Sequence, residues 1–246
     1  MRLGLGLGLA LPQSGTRPFK PTSIPNIALW LDAADASTIA QVSGSVNQWN
    51  DKSGNGYNAM QPTGAKQMVS GSNTINGLNV LYANAKNMIL PAGLYSYFGP
   101  SQPWTMFIVK QDLIAQGASQ FFYLGSNGLS NINEASGVLS NKRGNSDHGG
   151  QLAITQDLLP HIVGGISRAN NFLYAIRDGV IGSFYAEPTA GTQTQMYIGS
   201  YNSATSAAVV VNYAEILLYA QEFNNGNGGP DFDAVNSYLK TKWGIS

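Results

Sequence analysis

The sequence predicts an all-β fold, a two-layer sandwich or jelly roll of antiparallel strands, closed by a single C-terminal helix. Three observations predict it. Short apolar runs recur along the chain (ALWL, TMFIV, FFYLG, HIVGGI, FLYAI, MYIGS and VVVNYAEILLY), separated by clusters of Gly, Asn, Ser and Pro. That is the pattern of many short strands joined by turns. The stretch FLYAIRDGVIGSFY sets two alternating strands around Asp178-Gly179, a pair that tolerates the positive φ angles of a two-residue type I′ turn. Near the end, one segment alone carries a credible helical stripe.

In chain order, the first element is not part of a core. From Leu3 to Leu11 every second residue is leucine, and only Gly4, Gly6, Gly8 and Ala10 lie between. Arg2 and this run imitate a signal peptide, but alternating glycine disfavours a helix and no small-x-small cleavage site follows. In an extended strand Leu3, Leu5, Leu7, Leu9 and Leu11 all point to one side, leaving a glycine face that another backbone can approach. Pro12, Pro18, Pro21 and Pro25 follow closely, which precludes helix and favours a semi-rigid linker. The predicted organisation is an anchoring arm and linker over residues 1–23 and one β domain over residues 24–246. The helix is read in PDFDAVNSYLKTKWG, where Phe232, Val235, Leu239 and Trp243 form one apolar stripe. Asp231 is its expected N-cap, Lys240 and Lys242 occupy the last turn, and Gly244 closes it.

Composition bounds the function. Charged residues make up 11% of the 246 residues, against roughly 25% in ordinary globular chains, so the polar surface is built from Asn, Ser, Thr, Gln and Gly. Thirteen basic and thirteen acidic residues cancel. Without a basic run, a nucleic-acid groove or a polybasic membrane patch is not expected. Absence of cysteine excludes disulfides and thiolate metal sites. No apolar stretch reaches the ~20 residues needed to span a bilayer.

Read together, IALWLDAADAST, VNQWNDKSGNGYNAMQP, INGLNVLYAN, PWTMFIVKQ, HIVGGISRAN, FLYAIRDGVIGSFY, MYIGSYN, VVNYAEILLYAQEF and the closing YLKTKWGI resemble the laminin-G-like members of the concanavalin A-like jelly-roll superfamily. The resemblance runs from Ile24 to Ser246. It implies a two-sheet antiparallel sandwich of about a dozen strands. It also implies the roles such domains fill in bacterial surface proteins, lectin-like modules and bacteriophage virion proteins, where they bind glycans or proteins.

Catalytic chemistry finds little support. Glycoside hydrolases of this superfamily group carboxylates on one strand as Glu-x-Asp-x-x-Glu, whereas Glu134, Glu187, Glu215 and Glu222 are scattered here. Glu215, between apolar neighbours in NYAEILLY, reads as a sheet-edge or hydrogen-bonded residue. His148 falls in a loop and His161 starts a strand, neither with a partner at metal-ligand spacing. A nucleophile-elbow Gly-x-Ser-x-Gly is lacking. GLGLGL has no strand before it or helix after it to make a phosphate cradle.

Laminin-G-like domains often hold Ca²⁺ at the rim, which makes Asp32, Asp35, Asp51 and Asn55 candidate ligands. The alternative for Asp51 is an Asx-turn capping its own loop. Trp49, Tyr57 and Tyr201 are candidate stacking platforms for a sugar, although most aromatic residues of a sandwich belong to its core.

The expected function is therefore non-enzymatic: a structural or adhesive component of a bacteriophage virion, as head decoration, head fibre or tail fibre. The arm, with five leucines and unpaired backbone groups, would join other virion proteins by strand addition. The jelly roll would face a host-surface glycan, and homo-oligomers are expected. No cofactor is required, Ca²⁺ being the one candidate. The chain would be made in the host cytoplasm and reside in the virion. The alternative is a secreted or cell-surface bacterial carbohydrate-binding module, which would be extracellular.

Overall fold

The structure, a computed structural model, describes residues 18–99, 101–115, 118–124, 131–142, 149–186, 195–199, 210–223 and 229–246. The leucine-glycine run, His148, Glu187 and Tyr201 lie outside these residues. Seventeen strands occur among the described residues: β1 (Ile27–Asp32), β2 (Ile39–Val42), β3 (Ser45–Trp49), β4 (Ala59–Met60), β5 (Val69–Ile75), β6 (Leu78–Asn84), β7 (Asn87–Leu90), β8 (Trp104–Asp112), β9 (Ala118–Leu124), β10 (Asn131–Ala135), β11 (Val138–Lys142), β12 (Gly150–Ala153), β13 (Pro160–Ser167), β14 (Phe172–Arg177), β15 (Val180–Ala186), β16 (Met196–Gly199) and β17 (Val210–Tyr219). One helix, α1, spans Pro230–Trp243.

All pairings between these strands are antiparallel. In the first layer β17 is central, with β8 on one side and β1 and β6 sharing the other, and β8 continues to β13, β14 and β15. The second layer runs β2, β3, β4, β7, β16, β9, β10, β11, β12. The layers are stitched at their margins, where Gln151 of β12 pairs with Ser183 of β15 and β5 links β6 to β3. The strands are shorter and more numerous than the dozen expected.

Alternation sorts the apolar side chains of the first layer into two cores, because successive residues face opposite sides of a sheet. Leu29, Leu31, Trp104, Met106, Ile108, Ile216 and Leu218 face the second layer and meet Trp49, Met88, Leu90 and Phe122 there. Phe107, Val109, Ile162, Ile166, Leu217 and Tyr219 face outward, where Phe232, Val235, Leu239 and Trp243 of α1 cover them. The molecule is thus helix on sheet on sheet. The predicted stripe is the buried face of α1, and Gly244 closes the helix in the left-handed conformation (φ 68°). Its start differs from expectation. Gly229 is the N-cap and Pro230 the first helical residue, so Asp231 sits inside the first turn with Asp233. There the carboxylates face the positive end of the helix dipole rather than capping it.

The predicted Asp178-Gly179 turn has both φ angles positive, at 52° and 91°. Ser43-Gly44, Asn76-Gly77 and Ser136-Gly137 make the same turn in three further hairpins. Ahead of β1, Pro21 is buried and accepts a hydrogen bond from the Tyr219 hydroxyl at 3.1 Å. The Phe19 ring lies 5.5 Å from that of Tyr238 on α1.

Candidate functional site

The candidate rim residues come together only in part. Asp32 ends β1 and Asp35 caps the short turn after it, accepting from the Ser37 N–H at 3.2 Å and the Ser37 hydroxyl at 2.6 Å. Lys52 lies between the two carboxylates, 3.0 Å from Asp32 and 2.8 Å from Asp35, with its ammonium 4.4 Å from the centre of the Trp30 ring. The other oxygen of Asp32 takes Lys242 at 2.7 Å and the Ala34 N–H at 3.2 Å. Asp51 turns into its own loop. It accepts from the backbone N–H groups of Trp30 (3.0 Å), Ser53 (2.8 Å) and Tyr57 (3.0 Å) and from the Ser53 hydroxyl at 2.7 Å. Asn55 joins the same loop by donating its side-chain amide to the carbonyls of Ile27 and Ala28, at 2.9 and 3.1 Å.

This donor set does not fit Ca²⁺, which takes six to eight oxygens, most of them anionic or carbonyl. Each carboxylate oxygen of Asp32, Asp35 and Asp51 already accepts from a protein donor, and the Lys52 ammonium stands where a cation would bridge the first two. The Asx-turn reading describes Asp51. Lys52 was the missed signal: it lies one residue beyond Asp51, in a segment read only for its acids and turn residues.

Glu215 is the hub of the outer core. It is fully buried on β17, the central strand, so the sheet-edge reading is corrected and the hydrogen-bonded one holds. Its two oxygens accept from Trp30 Nε1 (2.8 Å), Tyr238 Oη (2.9 Å), Lys242 Nζ (2.8 Å) and Trp243 Nε1 (2.7 Å). A register shift between Tyr213 and Glu215 turns the carboxylate toward α1. Burial, with Asp32 nearby, pushes this carboxyl above its ordinary value even though Lys242 opposes the shift. The group fastens β1, β17 and α1 together. A second buried cation, Lys110 of β8, reaches Asp112 at 2.6 Å and Glu134 of β10 at 2.9 Å, tying the two layers.

His161 is likewise enclosed. Its Nδ1 lies 2.7 Å from Asp178 and its Nε2 2.7 Å from both Asp157 and Arg177. These contacts hold the β14–β15 turn and the segment before β13 against the start of β13.

No protein-family model matches the sequence, and no curated protein is similar to it in sequence. Solved structures are similar in fold. A sialidase of Trypanosoma rangeli, in complex with sialic acid, superposes at a TM-score of 0.61 and 13% identity over 89% of this chain. The binding domain of botulinum neurotoxin serotype D/C superposes at 0.56 and 10% identity over 90% of it. The fold is a concanavalin A-like jelly roll. The chain spans 33% of the sialidase and 53% of the toxin domain.

On this jelly roll the three stacking candidates fare differently from expectation. Trp49 is fully buried in the inner core. Tyr57 is half-buried and edge-on to Tyr97 at 6.4 Å. Tyr201 lies outside the described residues.

A different aromatic group is uncovered on the outer face beyond α1. Phe184 of β15 is 57% exposed. Its ring stacks on Phe172 of β14 at 4.6 Å and 28°, and lies 6.0 Å from Tyr174. The Arg168 guanidinium sits 4.8 Å from the centre of the Tyr174 ring. These residues escaped the sequence reading because the turn alone gives the wrong register. Two-residue closure at Asp178-Gly179 pairs Arg177 with Val180 and Ile176 with Ile181, which by continuation sets Tyr174 opposite Ser183. A shift between Tyr174 and Ile176 instead pairs Tyr174 with Phe184.

Proposed function

We propose that this chain is a non-enzymatic, lectin-like binding module, and that it serves as a structural or adhesive component of a bacteriophage virion, held by its N-terminal segment with the jelly roll displayed. The observation that carries the non-enzymatic reading is the state of the buried acids. Asp32, Asp112, Glu134 and Glu215 each face a lysine. Glycoside hydrolysis needs two carboxylates flanking a cleft with distinct proton affinities, and acids fastened in this way are built for packing. The zero net charge, the many Asn and Ser residues and the alternating leucine-glycine sequence from Leu3 to Leu11 favour life within an assembly.

Two measurements test the reading. Incubation with a glycan panel is expected to give binding without turnover; turnover abolished by Glu215→Gln would make the chain an enzyme. Deletion of residues 1–11 is expected to leave the melting temperature unchanged and to abolish incorporation into particles. Should the truncated chain still incorporate, the anchor is wrong. Loss of the same segment on export would instead identify a secreted or cell-surface bacterial carbohydrate-binding module.

A further inference from the structure

We infer that the outer face of the β14–β15 hairpin, formed by Phe172, Phe184, Tyr174 and Arg168, is a binding platform for a carboxylate-bearing pyranose. The inference rests on the glycan-binding reading above and assigns it a place.

The first argument is the cost of leaving Phe184 uncovered. The apolar residues that pack with α1 on this face are buried or half-buried, whereas Phe184 stays 57% exposed while its ring is stacked on Phe172. The Phe172 ring covers one side of the Phe184 ring and holds it on rigid strands, so the exposed part of Phe184 offers the apolar surface that the face of a sugar ring packs against.

The second argument is charge. Arg168 follows β13 directly, its backbone N–H donating to the Phe172 carbonyl at 2.9 Å, so the β13–β14 turn carries the guanidinium to the edge of this hairpin. Among the described residues it forms no ion pair, and its Nε is buried without a hydrogen-bond partner, only the Tyr174 ring holding it in place. An unpaired planar cation is suited to a carboxylate, which its two terminal amino groups can grip through two hydrogen bonds.

Size decides between a sugar and a protein. The exposed Phe184 ring, the half-buried Phe172 beside it and one guanidinium offer the footprint of a monosaccharide or disaccharide, well short of the ~1,000 Å² of a stable protein interface. Apolar rings beside a single cation select a ring with one acidic substituent over a neutral sugar.

The experiment compares oligosaccharides ending in glucuronate or sialate with their neutral counterparts, by calorimetry and by heteronuclear NMR of the full chain. The acidic glycans are expected to bind more tightly and to weaken as salt rises, with shifts confined to the hairpin. Phe184→Ala is expected to lower affinity for both classes by about tenfold or more, the scale of a lost stacking partner. Arg168→Gln is expected to remove the preference for acidic over neutral sugars. Each change should lower the melting temperature only slightly, since Phe184→Ala loses one partly exposed ring stack and Arg168→Gln one cation–π contact. If acidic glycans bind and both variants bind them unchanged, the platform is wrong and the glycan-binding reading stands. If neither class binds the wild type, that reading fails and takes the platform with it. If Phe184→Ala abolishes self-association seen by sedimentation and alters no glycan binding, the face joins copies of the chain and the inference is overturned.

Discussion

Asp35 and His161 set opposite limbs of the pH dependence. The Lys52 ammonium beside Asp35, with Ser37 adding hydrogen bonds, holds that carboxyl at about 2 instead of 3.8. Burial by itself would lower His161, but its hydrogen bonds to Asp178 and Asp157 outweigh burial and the opposing Arg177, holding it above the ordinary 6.5. A carboxyl depressed on folding contributes stability above its unfolded value and loses it as pH falls through the folded one. A raised imidazole contributes fully below its unfolded value and loses the contribution as pH rises through the folded one. Asp35 therefore supports the fold above pH 3.8 and ceases to do so toward about 2. His161 supports it below 6.5 and ceases to do so as pH climbs past its raised value. Urea unfolding across pH is expected to show Lys52→Met narrowing its gap from wild type only on the acid limb. His161→Gln is expected to narrow its gap only on the alkaline limb. Gaps that stay constant with pH would show that neither ion pair is coupled to folding.

Elements are fixed by a few positions where side chains are forbidden. In β13 a Cβ on Gly164 would lie 2.0 Å from the Met106 carbonyl oxygen of β8, and one on Gly165 would lie 2.4 Å from the Asn141 side-chain amide. Asn141, fully buried on β11, uses that amide to reach the carbonyls of Ile166 (3.1 Å) and Tyr174 (3.0 Å), a peg from one layer into the other. Gly54 is a different case, with φ at 97° and open space around its Cβ position. Gly164→Ala and Gly165→Ala are each expected to cost about 2 kcal/mol or more through backbone clash and a broken buried bond. Gly54→Ala should cost about 1 kcal/mol, from the left-handed backbone alone. Equilibrium denaturation of the three variants checks the order, and a reversed order would place the close approach elsewhere. Consecutive glycines inside an apolar run are a legible sign of close approach; the Asn141 peg that demands one of them lies 24 residues away in sequence and is not.

For the molecule as a whole, α1 is a third layer rather than an ornament. Phe232 lies 5.4 Å from Phe107, and Phe232, Val235, Leu239 and Trp243 bury the outward rows of β8, β13 and β17. Ending the chain at Gly229 would also leave Glu215 without Tyr238, Lys242 and Trp243, and a buried acid deprived of its partners costs several kcal/mol. The truncated chain is expected to lose cooperative unfolding and to aggregate. A monomer with a wild-type melting curve would mean the jelly roll closes without its helix.

By itself the sequence determined the all-β class, the Asp178-Gly179 turn, the helical stripe and the covered face of α1. Each of these depends on contacts or conformations within a few residues. Tertiary structure decided which face the side chains take beyond the register shifts of β15 and β17. The register shift on β15 moves Phe184 from a position opposite Leu173 to one opposite Tyr174, and so from the inner core to the outer face. The shift on β17 turns Glu215 toward α1. Because side chains alternate with a period of two, one inserted residue reverses every side chain beyond it. On β15 the insertion sits where β12 crosses, at Gly182, whose Cβ position lies 2.1 Å from the Gln151 carbonyl oxygen. Local pattern sets the alternation, and a neighbouring strand from elsewhere in the chain sets its phase.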